Sequence, residues 1–427
     1  MVKFRLKSKV TRCLFFVGVL GISLGIVGGG LVMQMNNAIY VEGFNSDRND
    51  EWPYSYPAPR AQQAEYNHKL AEILDRHPEL RPQWLSVADE ENGFLQLFDL
   101  FEYIIGADGA EMEHGVTFST ELRKELSSDI SEEVFGDGKR FSGLIDELGR
   151  IAELEEHSCA GVDPERLFFH PPEAIYNFTN ILLYDAKSAA NAGDKERALS
   201  SIRTAVKIGV HFSQVETLSL SGISISTQLE KSILETTLYD LFPTLDLKKE
   251  DYKVWREVIN EGRADIGPQK VSIGEFNVAF PAIAIPISES VWLFQLSGVD
   301  RIYDAMVQCH LELIRLSSGG GRKCLETFRM EKGLSDKVEE SPYISRKLVR
   351  VLHAGLPSYI KTVTRASARF RYYDAALATL AGEELPLELI TGAPFVLDVE
   401  KQILTIPDDP ILEGFKFEPI ELSFASE

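Results

Sequence analysis

The apolar positions of this chain recur mostly every three or four residues, the spacing that gathers side chains onto one face of an α-helix. That spacing predicts a helix over 61–76, with Leu70, Ile73 and Leu74 on one face and Pro78 as its stop. It predicts a second over 91–105, with Phe94, Phe98, Phe101 and Ile104, and a third over 141–156, with Leu144, Leu148 and Ile151. The clearest unit is a pair of helices over 173–192 and 194–211. Ala186, Ala189 and Ala190 line the first, and Ala198, Ile202, Ala205, Val206 and Gly209 line the second. Between them, Asn191-Ala192-Gly193-Asp194 makes a tight turn, with Gly193 suited to follow one helix and Asp194 to cap the next. Further helices are predicted over 223–241, 248–261 and 288–316, and two over 343–381, parted at Gly355-Leu356-Pro357. Residues 278–287 carry Pro281 and Pro286 and read as a buried crossing, too short to span a membrane.

Two stretches break the helical period. Residues 13–33 are 21 consecutive positions without a charge, long enough at about 1.5 Å per residue to cross a hydrocarbon core of roughly 30 Å. Toward the other end, Phe395-Val396-Leu397-Asp398-Val399 and Gln402-Ile403-Leu404-Thr405-Ile406 alternate apolar with polar residues, which predicts a hairpin. Residues 415–422 offer a third strand, which Pro419 restricts to an edge. The predicted class is therefore mainly α, with an N-terminal transmembrane helix, a body of helical hairpins and a small C-terminal antiparallel β element. The domains follow: a basic head at 1–12, the anchor at 13–33, an extended Pro- and aromatic-rich linker at 34–60, a helical domain at 61–382 with a sub-boundary near 160–172, and the β-rich element at 383–427.

Charge orients the anchor. Lys3, Arg5, Lys7, Lys9 and Arg12 precede it without an acidic residue, so the head stays cytoplasmic and the body is exported to the periplasmic side of the inner membrane. A cleaved signal peptide is the rival reading, but the apolar run is too long for one and no clear Ala-x-Ala site follows. Gly21, Gly25 and Gly29 stand four apart, a ridge suited to anchor self-association or simply the glycine common in membrane helices. The chain carries 44 Lys+Arg against 65 Asp+Glu, a net charge of −21. Such a surface argues against nucleic acid as a partner.

Candidate chemistry is sparse. Cys309 and Cys324 are near enough in sequence to form a disulfide in an oxidising compartment, with buried thiols as the alternative. Glu65-Tyr66-Asn67-His68 and Glu111-Met112-Glu113-His114 repeat the Glu-x-x-His step of di-iron bundles, though surface residues are the simpler reading; no cofactor is predicted. The main anomaly is a 33-residue window at 341–373 that holds Arg346, Lys347, Arg350, Lys361, Arg365, Arg369 and Arg371 and no acidic residue. Lys361, Arg365 and Arg369 fall four apart and form one helical stripe. It fits lipid headgroups, a cell-wall polymer or an acidic partner; the alternative is internal pairing with 89–156, where 19 acidic residues face 5 basic ones.

Three features carry a resemblance. They are the anchor, the hairpin Leu182-Leu183-Tyr184-Asp185-Ala186 through Ala192-Gly193-Asp194 to Ala198-Leu199, and the late helix Arg369-Phe370-Arg371-Tyr372-Tyr373-Asp374-Ala375-Ala376-Leu377 leading into the β end. Together they look like a group of membrane-anchored helical proteins of planctomycete-type bacteria, and the resemblance implies topology without an activity. The hairpin by itself resembles one tetratricopeptide unit, without a second copy at that period. The C-terminal end is similar in plan to that of secretion pseudopilins, without their Gly-Phe-Thr-Leu-Ile-Glu processing signal. The expected role is an anchored scaffold or interaction protein of the cell envelope; the alternatives are an envelope hydrolase using carboxylates of the acidic half, or a polyanion binder working through 341–373.

Overall fold

The computed structural model describes residues 60–105, 122, 126, 130–162, 172–217, 220–263, 268–281, 299–317, 322, 325–326, 356–413 and 415–422. The expected head, anchor and nearly all of the linker lie outside them. Among the described residues, no helix is long and apolar enough to cross a membrane. The described chain is mainly helical, with one small antiparallel sheet near its C-terminal end.

The α-helices longer than one turn are α1 (Arg60–Arg76), α2 (Gly93–Ile105), α3 (Ser142–Ala152), α4 (Pro172–Asn191) and α5 (Lys195–Ser213). They continue as α6 (Leu220–Glu235), α7 (Lys249–Asn260), α8 (Pro268–Ala279), α9 (Val299–Ser317) and α10 (Leu356–Ala381). The strands are β1 (Val396–Asp398), β2 (Ile403–Thr405) and β3 (Ile420–Glu421), in that order across the sheet. Helix α5 is the axis of the body and packs against α2, α3, α4, α6 and α7. One cluster of buried apolar side chains runs from Phe94 to Leu422, spanning both sides of 160–172 and taking in the sheet.

The α4–α5 hairpin forms as its sequence predicts. Gly193 sits at φ 72°, a left-handed conformation that costs a glycine little. The amide of Gly193 donates to Ala190 O at 2.9 Å and that of Asp194 to Ala189 O at 2.9 Å, which satisfies two carbonyls of the α4 end. Asp194 then caps α5, its carboxylate accepting from the Arg197 amide at 3.0 Å. Ala186, Ala198 and Ala205 are fully buried, so the two backbones close on each other with methyl groups between them.

Two elements depart from the expected pattern. Residues 268–279 form α8, whose end runs into the segment read from sequence as a buried crossing at 278–287. Its polar residues Ser272, Glu275 and Asn277 are as buried as Val271, Phe276 and Val278, so no amphipathic stripe marks it. The predicted helix over 223–241 ends in a π turn at Thr236–Leu241, where the Phe242 amide reaches back to Thr237 O at 3.1 Å.

The sheet is tied to α10 by one phenol. Tyr372 Oη donates to Leu404 O at 2.6 Å on β2 and accepts from the Ile420 amide at 3.1 Å on β3. Between β1 and β2, Gln402 takes φ 53°, which lets a turn without Asn-Gly close the hairpin. The register pairs Val396 with Thr405 and Asp398 with Ile403.

Candidate functional site

A partly open cleft enclosing about 60 Å³ lies between α5, α6, α7 and α10. Val206 and Val210 of α5, Ile233 of α6, Ile259 of α7 and Val363 and Phe370 of α10 make its walls apolar. Ser213, Ser226 and Ser367 add hydroxyl groups. Its two charged residues neutralise each other: Arg263 Nε donates to Glu230 Oε1 at 2.5 Å. The Arg263 guanidinium also lies 3.2 Å from the Phe370 ring centroid, a stacking that aligns the cation with the ring face.

Gly209 lies in this lining. It sits inside α5 with an ordinary helical backbone, so no left-handed conformation requires it. A glycine there costs about 1 kcal/mol of helix stability relative to alanine. A Cβ added at Gly209 would meet no atom within 4 Å. Periodicity places Gly209 on the packed face of α5, but the space above it is open cleft.

A second group of titratable side chains gathers where α5 ends. Glu216 accepts from Ser158 Oγ at 2.6 Å, the Leu85 amide at 2.8 Å and the Cys159 amide at 2.9 Å. Burial acts to raise its pKa, but these hydrogen bonds outweigh burial and hold the carboxyl below its ordinary value. Burial pushes the Cys159 thiol up to about 12, so it stays protonated and is a poor nucleophile. Lys270 donates to Gln214 O at 2.9 Å, and burial lowers its pKa against the opposing charge of Glu216. His157 and His211 stand edge to face with centroids 5.7 Å apart, and among the described residues the Nδ1 of each is buried without a hydrogen-bond partner. Burial first, then His157, lowers His211 to about 4. Its ring fills the space over Gly93, where a Cβ would come within 2.5 Å of it. Glu216 thus staples three chain segments together through a saturated carboxylate.

The basic window divides. Arg346, Lys347 and Arg350 lie outside the described residues. Lys361 on α10 is exposed, and Arg365, Arg369 and Arg371 are half-buried. Arg371 lies 3.7 Å from Asp374 on its own helix. Among the described residues, no ion pair joins these four cations to 89–156, so the expected internal pairing is not made there. Among the described residues, Arg365 Nε is buried without a hydrogen-bond partner, and burial together with the neighbouring Arg369 lowers the pKa of the guanidinium. Asp374 works between helices instead. Its carboxylate accepts from Arg256 at 2.7 and 3.1 Å and from Asn260 at 3.1 Å, bracing α10 against α7.

The remaining candidates separate. His68 is exposed and 3.4 Å from Glu72; the side chain of Glu65 lies outside the description, as do Glu111 and His114. Among the described residues, no three His, Cys, Asp or Glu side chains are placed to hold a metal ion. Cys309 is a free, buried thiol on α9, raised by burial to about 12, and Cys324 lies outside the described residues. No family model, no curated protein and no solved structure matches this chain.

Proposed function

We propose that this protein is a membrane-anchored, exported scaffold or interaction protein of the cell envelope, held by residues 13–33 and acting through binding. The observation that supports this best is the use of its buried carboxylates. Asp185 accepts from Arg197 and, at 2.6 Å, from Ser201 Oγ, locking α4 to α5. Asp374 braces α10 against α7, and Glu216 staples Leu85 and Ser158–Cys159 to the end of α5. Each of these three carboxylates accepts on both oxygens from donors of the fold, which suits a braced surface offered to a partner; Glu388 differs, its Oε1 being buried without a partner among the described residues. The hydrolase alternative draws instead on carboxylates of the acidic segment 89–156, of which the buried Glu147 is engaged by Arg150 at 2.6 Å.

A second reading has a specific observation behind it. Arg365, with a buried and unpartnered Nε, stands one turn from Arg369, which favours an anionic partner on that face of α10. Both readings are tested on the full chain in bacterial membranes. An alkaline phosphatase fused after Glu427 should be active; activity of a cytoplasm-dependent reporter at the same place overturns the exported topology. Replacing Arg365 and Arg369 by Ser should weaken sedimentation of the protein with anionic liposomes; undiminished sedimentation overturns the second reading.

A further inference from the structure

We infer that the cleft between α5, α6, α7 and α10 binds an uncharged, mainly apolar small molecule, and that Gly209 keeps its entrance to α5 clear. The inference deepens the binding reading above and rests on it. Three observations carry it. The cleft encloses a volume of about 60 Å³, room for a small ring or chain whose remainder reaches the open mouth, and apolar walls with a few hydroxyl groups are the usual lining of small-molecule sites. Glu230 and Arg263 cancel each other at 2.5 Å, so an incoming charged group finds no free counter-ion and has to break that pair. Gly209 leaves open space inside a helix where alanine would be the better residue, and its backbone conformation gives no other reason for glycine. The hydroxyls of Ser213, Ser226 and Ser367 are then available to a carbonyl or hydroxyl on the ligand.

The test uses the full chain in lipid nanodiscs. It is irradiated with benzophenone, an uncharged apolar photoprobe, or with 4-benzoylbenzoate, the same diaryl ketone bearing a para carboxylate, with neutral 4-benzoylbenzamide as the control for its added size. Adducts are mapped by mass spectrometry. Benzophenone should label side chains of α5 and α10 around the cleft. Labelling there should drop about tenfold in Gly209→Leu or Gly209→Trp, and be about tenfold lower with 4-benzoylbenzoate, the factor expected when a contact worth one decade of affinity is lost. Undiminished labelling in a folded Leu or Trp variant, or adducts confined to residues 13–33, overturns the site. Equal labelling by the anionic probe overturns the neutral class of ligand. If both large variants lose their helical circular dichroism, Gly209→Ala decides, because its single methyl enters open space. A Tm at or above that of the native chain with reduced labelling supports the inference, and a lower Tm overturns it. Failure here with an active phosphatase fusion removes the cleft assignment and leaves the anchored topology standing; a cytoplasmic reporter signal with successful labelling does the reverse.

Discussion

The α4–α5 hairpin and the α10 helix with its sheet are held by contacts of different range along the chain. The hairpin is a local object. Its helices are neighbours in sequence, their turn is closed by Gly193 and Asp194, and buried alanines set their separation. Helix α10 is tied to partners far along the chain. Arg256 and Asn260 reach Asp374 from α7, and Tyr372 fastens β2 and β3 to the helix. Both regions bury apolar side chains, but the ion pair of the first, Asp185 with Arg197, joins residues 12 apart, whereas that of the second spans 118. Burial is tolerant of small shifts, whereas a bidentate ion pair is lost once its partner moves by an ångström or so.

The largest effect should come from the centre of the local region. Ile202 is fully buried where α5 meets its neighbours. Ile202→Ala should cost about 4 kcal/mol in chemical denaturation of the full chain, from lost burial and the cavity left behind. A loss below about 1 kcal/mol would mean that α5 relaxes into the space, and the hairpin would not be the rigid half of the comparison. Asp374→Ala should follow at about 3 kcal/mol, because it leaves the Arg256 guanidinium largely buried with only Glu383 to meet it. The two variants should also differ in kind. Asp374→Ala should raise hydrogen exchange along α7, α10 and the sheet before it affects α4 and α5. Uniform exchange throughout would erase the distinction between the regions.

This difference also governs what was legible in the amino-acid order. The hairpin could be read from Ala186, Ala190, Gly193, Asp194 and Ala198 because each acts on residues within a few positions of itself. The β1–β2 hairpin could be read for the same reason, through the alternation of Phe395 to Ile406. Asp374 and Arg256 are 118 positions apart, and nothing local in either predicts their meeting. Helix α8 was hidden because Ser272, Glu275 and Asn277 are buried beside apolar residues and blur the period. The cleft escaped because Gly209 occupies a position on the helical period that normally means contact, and openness depends on four helices at once. The stripe of Lys361, Arg365 and Arg369 was legible as a stripe, while its separation from the acidic segment 89–156 depends on where α10 packs.

The far end of α5 carries a buried imidazole pair beside the Glu216 staple, and acid tests it. His211 lies on the last turn of α5, and its Nε2 donates to Ile151 O of α3 at 3.2 Å. The groups around it are His157, Lys207 on its own helix, Glu156 beside His157, and the Glu216–Lys270 pair. Its pKa of about 4 in the fold stands below the ordinary 6.5 of the unfolded chain. The unfolded state therefore binds the proton more readily, and stability is complete above pH 6.5. It declines as pH falls from 6.5 to about 4, after which His211 contributes no further loss. The decline should amount to roughly 2–3 kcal/mol, read from denaturation midpoints across that window. His157, also lowered by burial, steepens the same slope. His211→Phe removes the titration while keeping a ring over Gly93, and the Ile151 carbonyl still accepts from the Leu154 amide at 3.1 Å. The variant should flatten most of the slope. If it retains the full slope between pH 6.5 and 4, the acid sensitivity lies in His157, because Glu216, held below its ordinary value of 4.5, loses its contribution only at lower pH.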